Sequence, residues 1–291
     1  MPSWEEMLAQ CDSHGLNCDE LRSKAVRDLS VFRNRNVICY YSGWLQYDSS
    51  SDISICDNDM NGLMNAVHGM DKAKGLDFVM HTPGGDMAAT EAIVNYLKDC
   101  FGNDVCAVVP HLAMSAGTMI ACSCKSIVMG KHSSLGPTDP QLNGVAAGGV
   151  VEEFECAVKE IEMCPSSVQL WAQIIGKYHP TFLGDCKKVL DMSRTVVDAW
   201  LADNMLKNEQ ERIPDILDAL CSHEKSAMHN RHFSHKTLSD LGLKIEMLED
   251  NRDFQDLVLT AHHAFMISFQ STPCAKIIEG SNGSCWVVKG A

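Results

Sequence analysis

Short apolar runs alternate with longer amphipathic ones through the first half of the chain. "NVICYY" (36–41), "LDFVMH" (76–81), "VCAVVP" (105–110) and "SIVMG" (126–130) are almost unbroken hydrophobic stretches. Such runs suit strands buried on both faces of a sheet. Between them, "MNGLMNAVHGM" (60–70), "MAATEAIVNYLKDCF" (87–101) and "SAGTMIACSC" (115–124) place apolar residues at helical spacing, with Asp57 or Asn58 as the cap of the first. The alternation predicts βαβ units, hence a parallel sheet with helices packed on it.

The pattern changes on either side. Residues 1 to about 33 read as an amphipathic helical entry, and "NGVAAGGV" (143–150) as a flexible loop. From there to about Leu220 the periodicity is helical and predicts an arm or subdomain. "HKTLSDLGLKIEML" (235–248) predicts a helix stopped at Gly242 and then a short strand. A last helix near "FQDLVLTAHHAFMISFQ" (254–270) leads to a Gly/Ser-bearing tail. The expected division is an N-terminal helical segment (1–35), an α/β core (36–145), a helical arm (146–225), and a C-terminal part of the core with its tail (226–291).

Composition narrows the function. Of 291 residues, 45% are hydrophobic and 21% charged, as in ordinary soluble globular proteins. The formal net charge of −14 opposes binding to phosphate backbones or anionic lipid, so neither nucleic acid nor membrane is an expected partner. No apolar stretch reaches the roughly 20 residues of a membrane helix, and the opening residues lack the features of a signal peptide. A cytoplasmic location is the expectation. The 14 cysteines are scattered through strand-like and helix-like segments and include no Cys-x-x-Cys pair. They read as reduced, buried thiols, with no structural metal site.

Two turns carry the candidate chemistry. "HTPGGDM" (81–87) follows a strand and precedes a helix, and its paired glycines expose backbone N–H groups to an anion or an oxyanion. "AMSAGTM" (113–119) surrounds Ser115 with small residues at another strand-to-helix junction, as a nucleophile elbow requires. The amide after the serine, that of Ala116, could also donate to an oxyanion. The plainer alternatives are a tight turn at the glycines and an N-cap role for Ser115. Both turns lie at the ends of consecutive predicted parallel strands, where open α/β sheets form a crevice.

"HTPGGDMAATEAI", "AMSAGTMIA" and "GKHSSLGPTDPQ" resemble the serine dehydrogenase proteinase family of the Clp-protease/crotonase-like superfamily, related to signal peptide peptidase A. The resemblance runs nearly continuously from about Asn36 to Gln141, with a weaker echo from Met228 to Ile245. It implies a repeated ββα/βαβ core and a serine peptidase with a triad in the order Ser, Asp, His. Those roles fall on Ser115, Asp139 and His229, with Gly85 and Ala116 supplying the oxyanion hole. His232 and His235 lie close enough to His229 for a register slip to move the assignment. The resemblance also implies a peptide or protein substrate, no cofactor, and a homo-oligomer for which the helical segment after Val151 is the natural interface. A Ser–Lys dyad is an alternative, with Lys159 as its base and Lys125 or Lys131 as lesser choices. A crotonase-like acyl-CoA enzyme and a non-catalytic oligomeric scaffold are two others. His81 and His111 read as hydrogen-bonded core histidines near the crevice.

Overall fold

A computed structural model describes residues 5–6, 18–47, 53–221 and 231–290. Helix α1 (Cys18–Arg33) leads into strand β1 (Asn36–Ser42), helix α2 (Asp59–Val67), strand β2 (Leu76–His81) and helix α3 (Met87–Phe101). Strand β3 (Val105–Val109), the short β4 (Leu112–Ala113), helix α4 (Ala116–Ser123) and strand β5 (Ser126–Met129) follow. These bounds lie close to those that hydrophobic patterning predicts.

β1, β2, β3 and β5 are parallel neighbours, joined at one edge by parallel β10 (Ile245–Met247). Side chains alternate between two apolar clusters. Ile38, Tyr40, Phe78, Met80, Ala107 and Val109 pack on one face with α3 and α4. Val37, Cys39, Tyr41, Val79 and Val108 pack on the other with α1 and the long helix over Arg252–Ser271. Covering both faces is what makes these strands continuously hydrophobic.

Residues 274–289, which their periodicity does not mark, form the other edge of the sheet. Cys274–Gly280 runs antiparallel to β1, and Cys285–Lys289 runs antiparallel to it in turn. Residues 143–150 also differ from the loop reading. Gln141–Leu142 and Val145–Ala146 (β7 and β8) form a hairpin about Asn143 and Gly144, both at positive φ, and a helix starts at Ala147. An Asn-Gly pair is the favoured two-residue hairpin turn, a signal that the Gly/Ala bias of the stretch conceals. Asn58 occupies the cap position of α2, but its side chain makes no capping bond. Asp59, one residue on, instead accepts from the Cys56 amide.

The arm consists of α5 (Ala147–Met163), α6 (Val168–Ile175), α7 (Phe182–Asp203) and α8 (Ile213–Cys221). Val197, Trp200 and Leu201 of α7 and Ile216, Leu217 and Leu220 of α8 join the core cluster on the α3/α4 face. A second, small sheet completes the frame. In it β4 runs parallel to β6 (Ser134–Leu135), and β6 runs antiparallel to β9 (Phe233–Ser234). Beyond β9, a short helix α9 (His235–Leu241) stops at Gly242, which takes the left-handed conformation. Helix α10 is the Arg252–Ser271 helix, and β11 and β12 are the two C-terminal strands.

Candidate active site

β2 and β3 end side by side, and their turns stay in contact. Thr82 N donates to Leu112 O at 3.1 Å, and Met114 N donates back to Thr82 O at 3.0 Å. The di-glycine turn is thereby laid against the serine turn. Gly84 sits at φ +98°, and a Cβ there would lie 2.7 Å from Ser115 Cβ and 2.9 Å from Ala116 N. Only glycine admits both that backbone and that approach. Gly84→Ala is therefore expected to destabilise the fold by about 1–3 kcal/mol, measured by urea unfolding. A loss below about 0.5 kcal/mol would mean that the serine turn simply moves aside.

Ser115 stands immediately before α4 at φ 51° and ψ −115°, one of three described non-glycine residues with positive φ. That conformation is costly for a residue with a Cβ and is found where function holds it. Ser115 occupies the cap position of α4, but its side chain makes no capping hydrogen bond, so capping does not account for the hydroxyl. Ser115 is half-buried and lines a cavity of about 430 Å³. Gly84, Gly85, Ala116 and Asp86 form one wall of this cavity, Thr138, Pro140 and the β7 hairpin another. Met87, Met119, Met192 and Val189 make the remainder apolar.

Gly85 is gripped by the segment before α2. Ile55 N donates to Gly84 O at 2.8 Å, and Asp86 N donates to Ile55 O at 2.9 Å. No peptide in the described chain is cis, so the Gly85 N–H points opposite to the Gly84 carbonyl, away from Ile55. A Cβ on Gly85 would collide with the Ile55 backbone.

Asp139 is fully buried on the loop that follows β6. The loop is tied to the serine turn by Thr118, a residue that sequence reading does not single out. Its buried Oγ1 lies 3.0 Å from Ala113 O and 2.9 Å from Gly136 O, and accepts from Gly136 N at 3.0 Å. A threonine three residues after a candidate nucleophile is the one available signal. The arm holds the loop from the other side. Thr138 N donates to Leu220 O at 2.8 Å, Thr138 Oγ1 meets Cys221 Sγ at 3.1 Å, and Ser193 Oγ donates to Thr138 O at 2.9 Å. Burial raises the Cys221 thiol above its usual range, and the neighbouring Asp139 charge adds to the rise.

His229 lies outside the described residues. The chain on both sides of it is anchored at the Asp139 loop, Cys221 through Thr138 and Phe233 through its pairing with Leu135. His232 is exposed and does not line the cavity, and His235 begins α9. Lys159 is exposed on α5, and Lys125 is bound to Asp104. No lysine or arginine is among the described residues that line the cavity.

His81 and His111 point to the opposite face of the sheet, toward α10. The His81 ring stacks on His111 with centroids 5.6 Å apart, and both meet His262, at 5.5 and 5.8 Å. His81 is a core histidine, fully buried, but contrary to expectation neither of its ring nitrogens makes a well-formed hydrogen bond among the described residues. The Leu112 carbonyl, which also accepts from Thr82 N, favours a proton on the ring but is outweighed. Burial and the His111 ring push His81 down to about 3. The described cysteines are all free thiols, and no group of three or more His, Cys, Asp or Glu among the described residues could hold a metal ion.

Comparison with known proteins agrees with this architecture. The sequence profile of the ClpP-like SDH-type serine proteinases matches residues 17–246. Two uncharacterized proteins of Methanocaldococcus jannaschii are similar in part. MJ0137 is 34% identical over 139 residues, 46% of this chain and 48% of that protein. MJ1495 is 32% identical over 96 residues, 33% of this chain and 32% of that protein. The chain thus spans about half the length of the first relative and about a third of the second. Two solved structures of a 1510-N membrane-bound stomatin-specific protease, one with a substrate peptide, each give a TM-score of 0.43 at 14% identity. They cover 70% and 81% of this chain and 79% and 83% of theirs, and at that similarity nothing about the site is carried over. The α/β, Clp-like fold expected from the motifs is the fold of this chain. On a profile match that spans most of its length, the chain belongs to the ClpP-like SDH-type serine proteinase family.

Proposed function

We propose that the protein is a serine peptidase in which Ser115 Oγ attacks the carbonyl carbon of a peptide bond. His229 takes the hydroxyl proton and later delivers it to the leaving amine, while Asp139 orients the imidazole and balances its charge. The amides of Gly85 and Ala116 hold the tetrahedral oxyanion, each such donor being worth about 3 kcal/mol in the transition state. The observation that carries this reading is the backbone of Ser115: a strained, uncapped serine with Gly84 seated against it and an apolar cavity in front. For His229 the support is indirect, resting on the anchoring of Cys221 and Phe233 beside the Asp139 loop.

The acyl-CoA alternative has no support in the cavity wall, whose one charged described residue is Asp86, an anion that caps α3, with no described lysine or arginine to meet nucleotide phosphates. A Ser–Lys dyad would require Lys159 to leave an exposed helical position. The apolar cavity and the neighbouring hairpin suit an extended peptide or protein segment. The arm exposes Val158 (58%), Met163 (78%) and Leu170 (61%), apolar area that a homo-oligomer would cover. Free thiols, half of them buried among the described residues and Cys156, Cys164 and Cys285 exposed, suit a reducing, cytoplasmic setting. No helix of the described residues is long and apolar enough to cross a membrane.

A biotinylated alkyl fluorophosphonate tests the assignment. Attack by Ser115 would form an Oγ–P bond and expel fluoride, with the hydroxyl proton passing to the base. Peptide mapping is expected to place the label on Ser115. A folded protein that takes up no label, or takes it up elsewhere, refutes the proposal.

A further inference from the structure

We propose that Lys276 and Asp59 are positioning residues that fix the direction of the Gly85 amide. The inference rests on the serine-peptidase reading above and adds how its oxyanion donor is kept in place. The two side chains are almost fully buried, 1% and 0% exposed, and their charges meet at 2.7 Å. A buried ion pair is weak evidence for stability, since an apolar pair of similar size often serves as well. Its placement suggests another use.

Around Ile55 the backbone is held from every side. Ser42 Oγ donates to Ile53 O at 2.6 Å, and Lys276 Nζ donates to Ser54 O at 2.7 Å. Asp59 Oδ2 accepts from Cys56 N at 3.0 Å and from Tyr40 Oη at 2.7 Å. The segment has one isolated bridge, Ile55 to Gly85, in place of a strand ladder, so these side chains do the holding that a sheet would do. Ile55 in turn takes both the Gly84 carbonyl and the Asp86 amide.

The peptide between Gly84 and Gly85 is flanked by two residues without side chains and is intrinsically the easiest in the turn to rotate. A flip would turn its carbonyl into the cavity and its N–H out, replacing an oxyanion donor with a repelling oxygen. The bond from Ile55 N to Gly84 O opposes that flip, and Lys276 with Asp59 keeps Ile55 where the bond can form. Neither residue touches the cavity; the effect passes through Ser54 and Cys56.

The test is fluorophosphonate inactivation of the full chain, read as a maximal rate and a half-saturating concentration. The double variant Lys276→Met/Asp59→Leu removes both charges together and leaves no lone buried ion. Expected is a lower unfolding temperature, because the Tyr40 hydroxyl, the Cys56 amide and the Ser54 carbonyl lose their partners, together with a maximal rate lower by about a hundredfold and a half-saturating concentration within about threefold. Ser42→Ala, which removes only the bond to Ile53 O, should lower the maximal rate by about tenfold, and it carries the test should the double variant not fold. A folded variant that keeps the wild-type rate overturns the proposal while leaving the peptidase reading intact. Absence of labelling in the wild type would instead strike at the peptidase reading itself.

Discussion

Ser115→Ala is expected to reduce peptide-bond hydrolysis by about six orders of magnitude, to the residual rate that substrate binding and the oxyanion donors support without a nucleophile. The loss should fall on turnover, because the hydroxyl contributes little to ground-state binding. Stability should stay level or rise. The substituted alanine would keep the awkward backbone, but Ser115 makes no capping bond that its removal could forfeit. The measurement is hydrolysis of a labelled, unfolded casein alongside thermal unfolding. A variant within tenfold of the wild-type rate, folded and free of wild-type contamination, would remove Ser115 from the chemistry.

Mild acid is expected to unfold the protein before its carboxylates titrate. His81 and His262 are almost fully buried, and burial, followed by the neighbouring imidazoles, holds both well below the ordinary histidine range, His81 at about 3. The surrounding groups offer little relief beyond the Leu112 carbonyl beside His81. His111 stacks on His81 from the end of β3, His263 lies beside His262, and Tyr41 Oη reaches His262 Nδ1 at 3.3 Å from β1. His132 also adds to the repulsion on His262. Above about pH 6.5 both rings are neutral, folded or unfolded, and pH has no leverage through them. Below it the unfolded chain takes up protons that the native state refuses, so stability falls as pH falls, by about 1.4 kcal/mol per unit for each ring. The His81 ring alone accounts for a loss of about 2 kcal/mol between pH 6.5 and 4.5, and His262 adds to it in the same direction. Urea unfolding at pH 7, 5.5 and 4.5 reads the slope directly. His81→Phe should make it shallower, while an unchanged slope would show that the cluster admits protons without opening.

The parallel sheet was legible because its strands are covered on both sides. Nothing polar interrupts "LDFVMH" except at its ends, and the bounds of β2 follow from that run alone. The glycine and serine turns were legible for a related reason: an uncovered hydroxyl and a bare amide need small neighbours, which are visible as letters. β11 and β12 were harder to read. The outermost strand, β12, alternates exposed with half-buried residues, and the apolar stretch of β11 follows almost directly on a long helix. Thr118 was hidden for another reason. A buried hydroxyl that ties Ala113 to Gly136 looks, in sequence, like any threonine inside a helix.

By itself the sequence determined the order of strands and helices in the parallel core, the two turns, and Ser115, Gly85 and Ala116 as the residues to watch, because short-range patterning and local sterics act within a few residues; Asp139 was implied only by the resemblance to a family. Only the tertiary structure decided that Ile55 grips the glycine turn, that Lys276 from β11 meets Asp59 from α2, and that His81, His111 and His262 share one buried pocket. Those pairings join residues up to about two hundred positions apart, and burial of both faces of the sheet, rather than any local preference, brings them together.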